Sequence, residues 1–154
     1  MDFKNKHNLW FHKINDNKWG LNSYKNICTI KNDDDFLYTF KRIKLLVHGM
    51  FFFMKNGIKP IYEDPANKNG GVWMWKVNKN ISTSVMLNLC YLMIKNELTV
   101  NKKNAQYING ISIKPRPFYS IIKIWISKDL DVEIFRDNIQ HILLSDGMYK
   151  ENKE

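Results

Sequence analysis

Hydrophobic and polar residues alternate along several short stretches of this chain, which is the pattern of strands that bury one face of a sheet. The alternation is clearest over residues 119–126, where three isoleucines fall on one face while Lys123 and Trp125 fall on the other. Further strands are predicted over residues 9–11, 24–30, 51–54, 72–77 and 108–114.

Three other stretches carry apolar residues at the spacing of an amphipathic helix. The first opens with the aspartates of residues 33–35, which suit the positive N-terminal end of a helix, and its apolar stripe runs from Phe36 to Val47. The second helix begins at residues 82–84, and the third is predicted over residues 131–144.

The order of these elements indicates the fold class. Strands joined by short polar links and interleaved with helices favour an antiparallel sheet with the helices on one face, which is an α+β architecture. Because no repeat or internal linker is visible, we predict one domain over residues 1–154, with flexible tails at 1–7 and 148–154. Hairpins are expected around residues 15–20, 64–70 and 115–119.

Composition narrows the choice of partners. A formal net charge of +9 favours polyanions such as nucleic acid or a membrane surface, although AT-rich coding accounts for part of the excess lysine. No run is long and apolar enough for a membrane span, and the first residues are too polar for a signal peptide, so no membrane partner is expected. Cys28 and Cys90 lack a nearby partner and are interpreted as reduced core residues in a soluble intracellular protein.

No motif for catalysis is visible. The four histidines do not have the spacing of metal ligands, and the chain contains neither a phosphate-binding loop nor a nucleophile elbow. We therefore expect a protein without catalytic residues, metal or cofactor.

The stretch over residues 53–75 carries the most informative chemistry. Tyr62 offers a flat ring, and the adjacent Glu63 offers two acceptor oxygens, a combination that suits a guanine base with its ring and its edge of N–H donors. The alternative is an acidic turn between two strands, where carboxylates are common.

The same stretch contains the string GIKPIYEDPANKNGGVW, which resembles the signature of the translation initiation factor 4E family. That family binds the 7-methylguanosine cap of messenger RNA. Tyr62 stands where the family usually has Trp, and Leu9-Trp10-Phe11 followed by Trp19 resembles a second family motif. The residues that match the signature are Gly57, Ile58, Pro60, Glu63, Asp64, Gly70, Gly71 and Trp73.

The resemblance implies a curved antiparallel sheet with three helices on its convex face and a cap-binding slot on its concave side. Trp19 and Tyr62 would form the two walls around the methylated base, and Glu63 would accept N–H bonds from its edge. Trp125 matches the family residue that touches the N7-methyl group, and Arg116 matches one that binds the phosphates.

Two positions depart from the family pattern at the phosphate end, because Ile121 and Val72 replace basic residues. Alternation along the strands places Lys123 on the face of Trp125 and Lys114 on that of Ser112, so these lysines could replace the missing charges. Each could equally be an ordinary solvated surface charge. The family normally continues beyond the third helix, so we expect a minimal version with a more open rim.

The opposite, dorsal face of the family binds the scaffold factor 4G and the 4E-binding proteins through a Trp. Leu37 takes that position here, and Asp33 puts a charge where the family has an apolar residue. An ordinary factor 4G helix should therefore bind poorly, while a dedicated scaffold could still dock across Leu37, Leu87 and Tyr91.

The sequence thus predicts a monomeric, cytoplasmic protein that binds capped messenger RNA as a factor 4E-like protein. Its compact size and composition are compatible with a viral or parasite source, in which case it would act in the host cytoplasm. One alternative is a translational repressor that holds caps without recruiting factor 4G. The other is a generic basic RNA-binding domain with no preference for the methyl group.

Overall fold

The computed structural model describes residues 2–42 and 49–153. Within these residues, seven strands form one antiparallel sheet in the order β2-β1-β3-β5-β6-β4-β7. The strands are β1 Asp2–Lys13, β2 Lys25–Asn32, β3 Gly49–Lys55, β4 Gly71–Asn78, β5 Ile108–Pro115, β6 Tyr119–Ile126 and β7 Met148–Glu151.

Two α-helices, α1 Asp33–Arg42 and α2 Ser82–Ile94, pack on one face of this sheet. Phe36 and Phe40 of α1 and Leu89 of α2 share a buried core with Ile122 and Ile124 of β6. The predicted fold class, a curved antiparallel sheet with helices on one face, is confirmed. Nowhere in the two described ranges is a helix both long and apolar enough to cross a membrane.

The alternation in β6 determines which side chains face the helices. Ile122 and Ile124 are fully buried in the core beneath the helices. Trp125 belongs instead to a second apolar cluster, on the other face of the sheet, as the sequence predicted. The aspartates at the start of α1 are also as predicted, whereas the expected continuation through Ile43 and Val47 lies outside the described residues.

The prediction of a third helix over residues 131–144 is wrong. This segment contains a 3-10 turn at Val132–Ile134, and another follows at Leu144–Asp146. Phe135 is extended and pairs with Thr99 in an isolated bridge, so contact with a neighbouring segment overrides the helical spacing. The apolar positions are nevertheless buried, because Phe135 is only 1% exposed.

The segments predicted as tails, residues 1–7 and 148–154, contain parts of two strands of the sheet within the described residues. β1 begins at Asp2 and pairs with both β2 and β3, so residues 2–7 belong to the sheet. At the other end, β7 pairs with the first half of β4. Gly71 makes this approach possible, because a Cβ there would collide with Tyr149 and the Lys150 carbonyl.

The link around residues 64–70 is not a hairpin. β3 pairs with β1 and β5, whereas β4 pairs with β6 and β7, so the chain between β3 and β4 crosses the end of the sheet. The links around 15–20 and 115–119 do join antiparallel neighbours, as predicted. The crossing segment carries Tyr62 and Glu63 over the sheet face that lies opposite the helices.

Candidate functional site

A slot with a cavity volume of about 380 Å³ lies on the face opposite the helices. Trp10, Phe52 and Trp125 belong to the apolar cluster beneath it. The volume is at the lower end of the range for small-ligand pockets, about 300–1,000 Å³. Six of the seven residues predicted for the binding site line this one cavity: Trp19, Tyr62, Glu63, Lys114, Lys123 and Trp125.

Trp19 forms one exposed aromatic surface of the slot. It lies in the link between β1 and β2 and remains 49% exposed. Its rear face stacks on the buried ring of His12, with centroids 4.3 Å apart and planes 4° from parallel. The two His12 ring nitrogens lie 2.8 and 2.7 Å from the carbonyl oxygens of Lys13 and Lys18, so hydrogen bonding to the backbone fixes the imidazole ring. Trp19 is therefore held in place from behind.

Tyr62 is the second aromatic surface, and it is half-buried. Its ring stacks on Trp125, with centroids 5.0 Å apart and an interplanar angle of 18°. The Lys123 ammonium donates a hydrogen bond of 3.0 Å to the Tyr62 hydroxyl. These two contacts hold the ring against the sheet.

Trp125 lies beneath this layer and is only 2% exposed. Its indole N–H donates to the Ser112 hydroxyl at 3.0 Å, which fixes the ring between β5 and β6. In this conformation Trp125 supports Tyr62, and a ligand could reach the indole face only if Tyr62 moved away from it.

The adjacent carboxylates Glu63 and Asp64 have different environments. Asp64 is buried and accepts bonds of 2.9 Å from the backbone N–H groups of Lys59 and Ala66, so it shapes the loop. Glu63 is exposed to solvent and lines the slot. The ion pairs among residues 2–42 and 49–153 involve Asp33 and Glu97, so Glu63 remains available as an acceptor.

A buried amide network anchors the loop that carries Tyr62 and Glu63. Asn67 is fully buried and donates to the carbonyl oxygens of Lys59 and Ile61. Asn109, at the start of β5, donates to the Asn67 side chain at 2.8 Å. The loop therefore has a fixed position relative to the strand that bears Lys114.

Positive charge converges at one end of the slot. Lys114 and Lys123 line the cavity, and the Lys114 ammonium is 5.7 Å from the Trp19 ring centroid. Burial lowers the pKa of Lys114, and the nearby charges of Arg116 and Lys123 lower it further. Arg116 is exposed in the β5–β6 hairpin, beyond the lining itself. An anion at this end would relieve the repulsion among the three cations.

His12, Tyr24 and Ser112 contribute to the site but were not predicted from the sequence. Alternation from Trp10 could have placed His12 on the slot face, because the two lie two residues apart in β1. Tyr24 also lines the slot, where burial raises the pKa of its hydroxyl and the proximity of Tyr62 and Glu63 raises it further. This hydroxyl therefore remains a protonated donor.

The predicted dorsal residues lie on the helices. Leu37 is 63% exposed and Tyr91 is 42% exposed, whereas Leu87 is partly buried against the core. Asp33 lies 3.6 Å from the Lys95 ammonium, so its carboxylate forms an ion pair with the residue that follows α2. The exposed part of this surface is consequently centred on Leu37 and Tyr91.

Comparison with known proteins identifies the family. The sequence model described as eukaryotic initiation factor 4E matches residues 2–152. The chain belongs to this family. The factor 4E match therefore includes the strands that carry the slot and both helices of the dorsal face.

Individual factor 4E proteins are similar over part of their length. Translation initiation factor 4E-4 of Caenorhabditis elegans is 34% identical over 73 residues, which are 47% of this chain and 32% of that protein. The factor 4E homolog of Acanthamoeba polyphaga mimivirus is 27% identical over 106 residues, covering 58% of this chain and 39% of the homolog. Factor 4E of Candida albicans is 28% identical over 134 residues, which cover 80% of this chain and 62% of that protein. The chain thus spans less than two thirds of the length of these relatives.

Solved factor 4E structures have the same fold. Factor 4E-3 of Ascaris suum, solved with an m7G cap, has a TM-score of 0.75 at 22% identity, covering 86% of this chain and 77% of that one. Factor 4E-3 of C. elegans, solved with the 4E-binding protein Mextli and a cap analog, has a TM-score of 0.74 at 22% identity. The match covers 82% of this chain and 74% of that one. At this identity the likeness establishes the fold.

Proposed function

We propose that this chain binds the 7-methylguanosine cap of messenger RNA in the slot, as a non-enzymatic, monomeric factor 4E-like protein of the cytoplasm. The observation that carries the proposal is the convergence of Trp19, Tyr62, Glu63 and two lysines on one cavity of about 380 Å³. Membership of the factor 4E family and the cap complexes of its structural neighbours support it.

The methylated base would lie between Trp19 and Tyr62. Because 7-methylguanine carries a positive charge, each ring face contributes cation–π attraction, about 0.5–2 kcal/mol, in addition to base stacking of about 1–3 kcal/mol. The stacking of Trp19 on His12 lowers the cost of ordering this wall, since its ring is already held from behind.

Tyr62 would have to change its contacts as the base enters. Its present stack on Trp125 and its bond from Lys123 hold it against the sheet. Contact between Trp125 and the N7-methyl group requires Tyr62 to move off the indole. The same movement frees Lys123 from the phenol, so binding of the base and binding of the phosphates would be coupled.

Glu63 would recognise the edge of the base. Its carboxylate, which lines the slot, can accept the N1–H and N2–H bonds of guanine together, a charge-assisted pair of contacts. Lys114, Lys123 and Arg116 would bind the phosphates. Their mutual repulsion, which contributes to the lowered pKa of Lys114, is a physical reason for an anion to bind there.

On the dorsal face, the exposed surface of Leu37 and Tyr91 would bind a scaffold protein. A leucine offers less contact area than a Trp and no indole N–H, so a helix that depends on that Trp should bind weakly. This favours a dedicated partner, or the alternative function of a cap-binding repressor that recruits no factor 4G.

Calorimetric titration with 7-methyl-GTP and with GTP tests the proposal. We expect at least tenfold tighter binding of the methylated nucleotide, because only it adds a cation–π contribution, for which about 1.4 kcal/mol corresponds to tenfold. The same comparison with capped and uncapped RNA excludes a generic basic RNA-binding domain, which would bind both equally. Equal affinity for 7-methyl-GTP and GTP would contradict the proposal.

A further inference from the structure

Phe118, at the tip of the β5–β6 hairpin, is the most exposed large apolar side chain in the described part of the chain, at 86%. The backbone N–H of Arg116 donates to the Tyr119 carbonyl at 2.8 Å, so Pro117 and Phe118 form the tip itself. A single exposed Phe needs no explanation by itself. Its neighbours and its position relative to the slot give it significance here.

β6 connects the slot to this hairpin tip. Tyr119 lies on the same face of β6 as Lys123, four residues away, or about 13 Å along a strand. Lys76 of β4 pairs with Ile121, and its ammonium lies 5.1 Å from the Tyr119 ring centroid. Lys123, Ile121 and Tyr119 therefore lead along β6 from the slot to the hairpin tip, with Lys76 and Lys114 on the neighbouring strands opposite Ile121.

The tip is also held in place. Lys79 donates a bond of 2.7 Å to the Arg116 carbonyl, which ties the hairpin to the end of β4. Pro115 and Pro117 restrict the backbone on either side of Arg116, so little conformational entropy is lost when a ligand contacts Phe118. Aromatic rings interleaved with cations are the arrangement that proteins use to bind single-stranded nucleic acid.

We propose that Phe118 is a stacking platform for the nucleoside adjacent to the cap, with Arg116 and Lys76 beside it binding the phosphate chain. This inference rests on the proposed cap-binding function. The phosphates would leave the slot past Lys114 and Lys123 and reach the hairpin next to Arg116. The first base beyond them then meets the exposed ring of Phe118, which accepts any base because every base has a stacking face.

The test compares two ligands that share the cap and differ in the RNA attached to it. Phe118→Ala should weaken binding of a capped pentaribonucleotide about tenfold, within the range for loss of one base–aromatic stack, and leave the affinity for 7-methyl-GTP unchanged. Phe118→Trp should restore the affinity for the capped RNA. Leu143→Ala, which removes another exposed apolar side chain outside the slot lining, serves as the matched control and should change neither affinity.

Salt dependence separates stacking from charge. The loss caused by Phe118→Ala should persist at high salt, because it removes no ionic contact. Unchanged affinity of Phe118→Ala for the capped RNA would overturn the inference. Equal losses for both ligands would also overturn it, since Phe118 would then act only through the hairpin. Failure of the parent protein to bind 7-methyl-GTP would overturn the proposed function first and this inference with it.

Discussion

Replacing Glu63 with Gln tests whether this carboxylate recognises the base. The substitution keeps the shape of the side chain but replaces one acceptor oxygen with an NH2 donor that faces the N–H donors of guanine. Hydrogen bonds to a charged group contribute about 1.5–3 kcal/mol, so the expected loss of affinity for 7-methyl-GTP is roughly tenfold to a hundredfold.

The structure predicts that this loss occurs without loss of the fold. Glu63 lies outside the ion pairs of the described residues and borders the open slot, so Glu63→Gln should change the free energy of unfolding by no more than about 0.5 kcal/mol. Asp64→Asn should instead destabilise the fold, because Asp64 accepts two backbone N–H bonds that hold the loop. This substitution should lower the thermal midpoint of unfolding markedly.

The assay is calorimetric titration of each variant with 7-methyl-GTP, combined with thermal unfolding. Glu133→Gln is the matched control, since Glu133 is a glutamate outside the slot lining, and it should bind like the parent. Parent-like affinity in Glu63→Gln would refute the assignment of the slot, and the family resemblance would then concern fold alone. A large drop in its thermal midpoint would show that Glu63 has a structural role.

Three other predictions concern the phosphates, pH and the dorsal face. Arg116→Ala and Lys123→Ala should each weaken binding of 7-methyl-GTP more than of 7-methylguanosine, with losses that shrink at high salt; equal losses for both ligands would indicate a structural role. Burial, reinforced by the charge of Lys55, lowers the pKa of His7 to about 4. The unfolded state therefore binds the proton more strongly, and the free energy of unfolding should fall by up to about 3 kcal/mol between pH 6.5 and 4. Chemical denaturation of the parent at several pH values should show this fall, and His7→Phe should lack it. Leu37→Trp should strengthen binding of a factor 4G helical peptide about tenfold in a titration, whereas micromolar or tighter binding by the parent would contradict the weak dorsal site.

The parts of the fold that the sequence predicted well are those where one face is buried and the other is solvated. In β6 the buried isoleucines and the slot-facing Lys123 and Trp125 follow the period of two, so placing both residues required only alternation. The start of α1 was equally clear, because three acidic residues precede Phe36.

The failures have a common cause, which is contact between segments distant in sequence. Residues 131–144 have helical spacing, but Phe135 pairs with Thr99, and the positive φ of His141 interrupts any helix. β7 lies at the edge of the sheet and, among residues 2–42 and 49–153, pairs with β4 alone, which is consistent with its polar composition. No local pattern reveals such pairing.

In the site, too, some features could be predicted from the local sequence, and others depend on contacts between distant segments. The family signature identified Tyr62 and Glu63, but the stack of Tyr62 on Trp125 and its bond from Lys123 depend on how the 56–70 segment crosses the sheet. The Asn67–Asn109 bond that anchors this segment joins residues 42 positions apart. Neither amide has a signature in the sequence.

The most direct test of cap binding in this slot is the fluorescence of Trp19. Its ring is 49% exposed, so a stacked base should quench it. We expect 7-methyl-GTP to quench the emission of the parent far more than GTP does, and most of that quenching to disappear in Trp19→Phe even though four tryptophans remain of the five in the chain. Equal quenching by both nucleotides, or undiminished quenching in Trp19→Phe, would contradict cap binding between Trp19 and Tyr62.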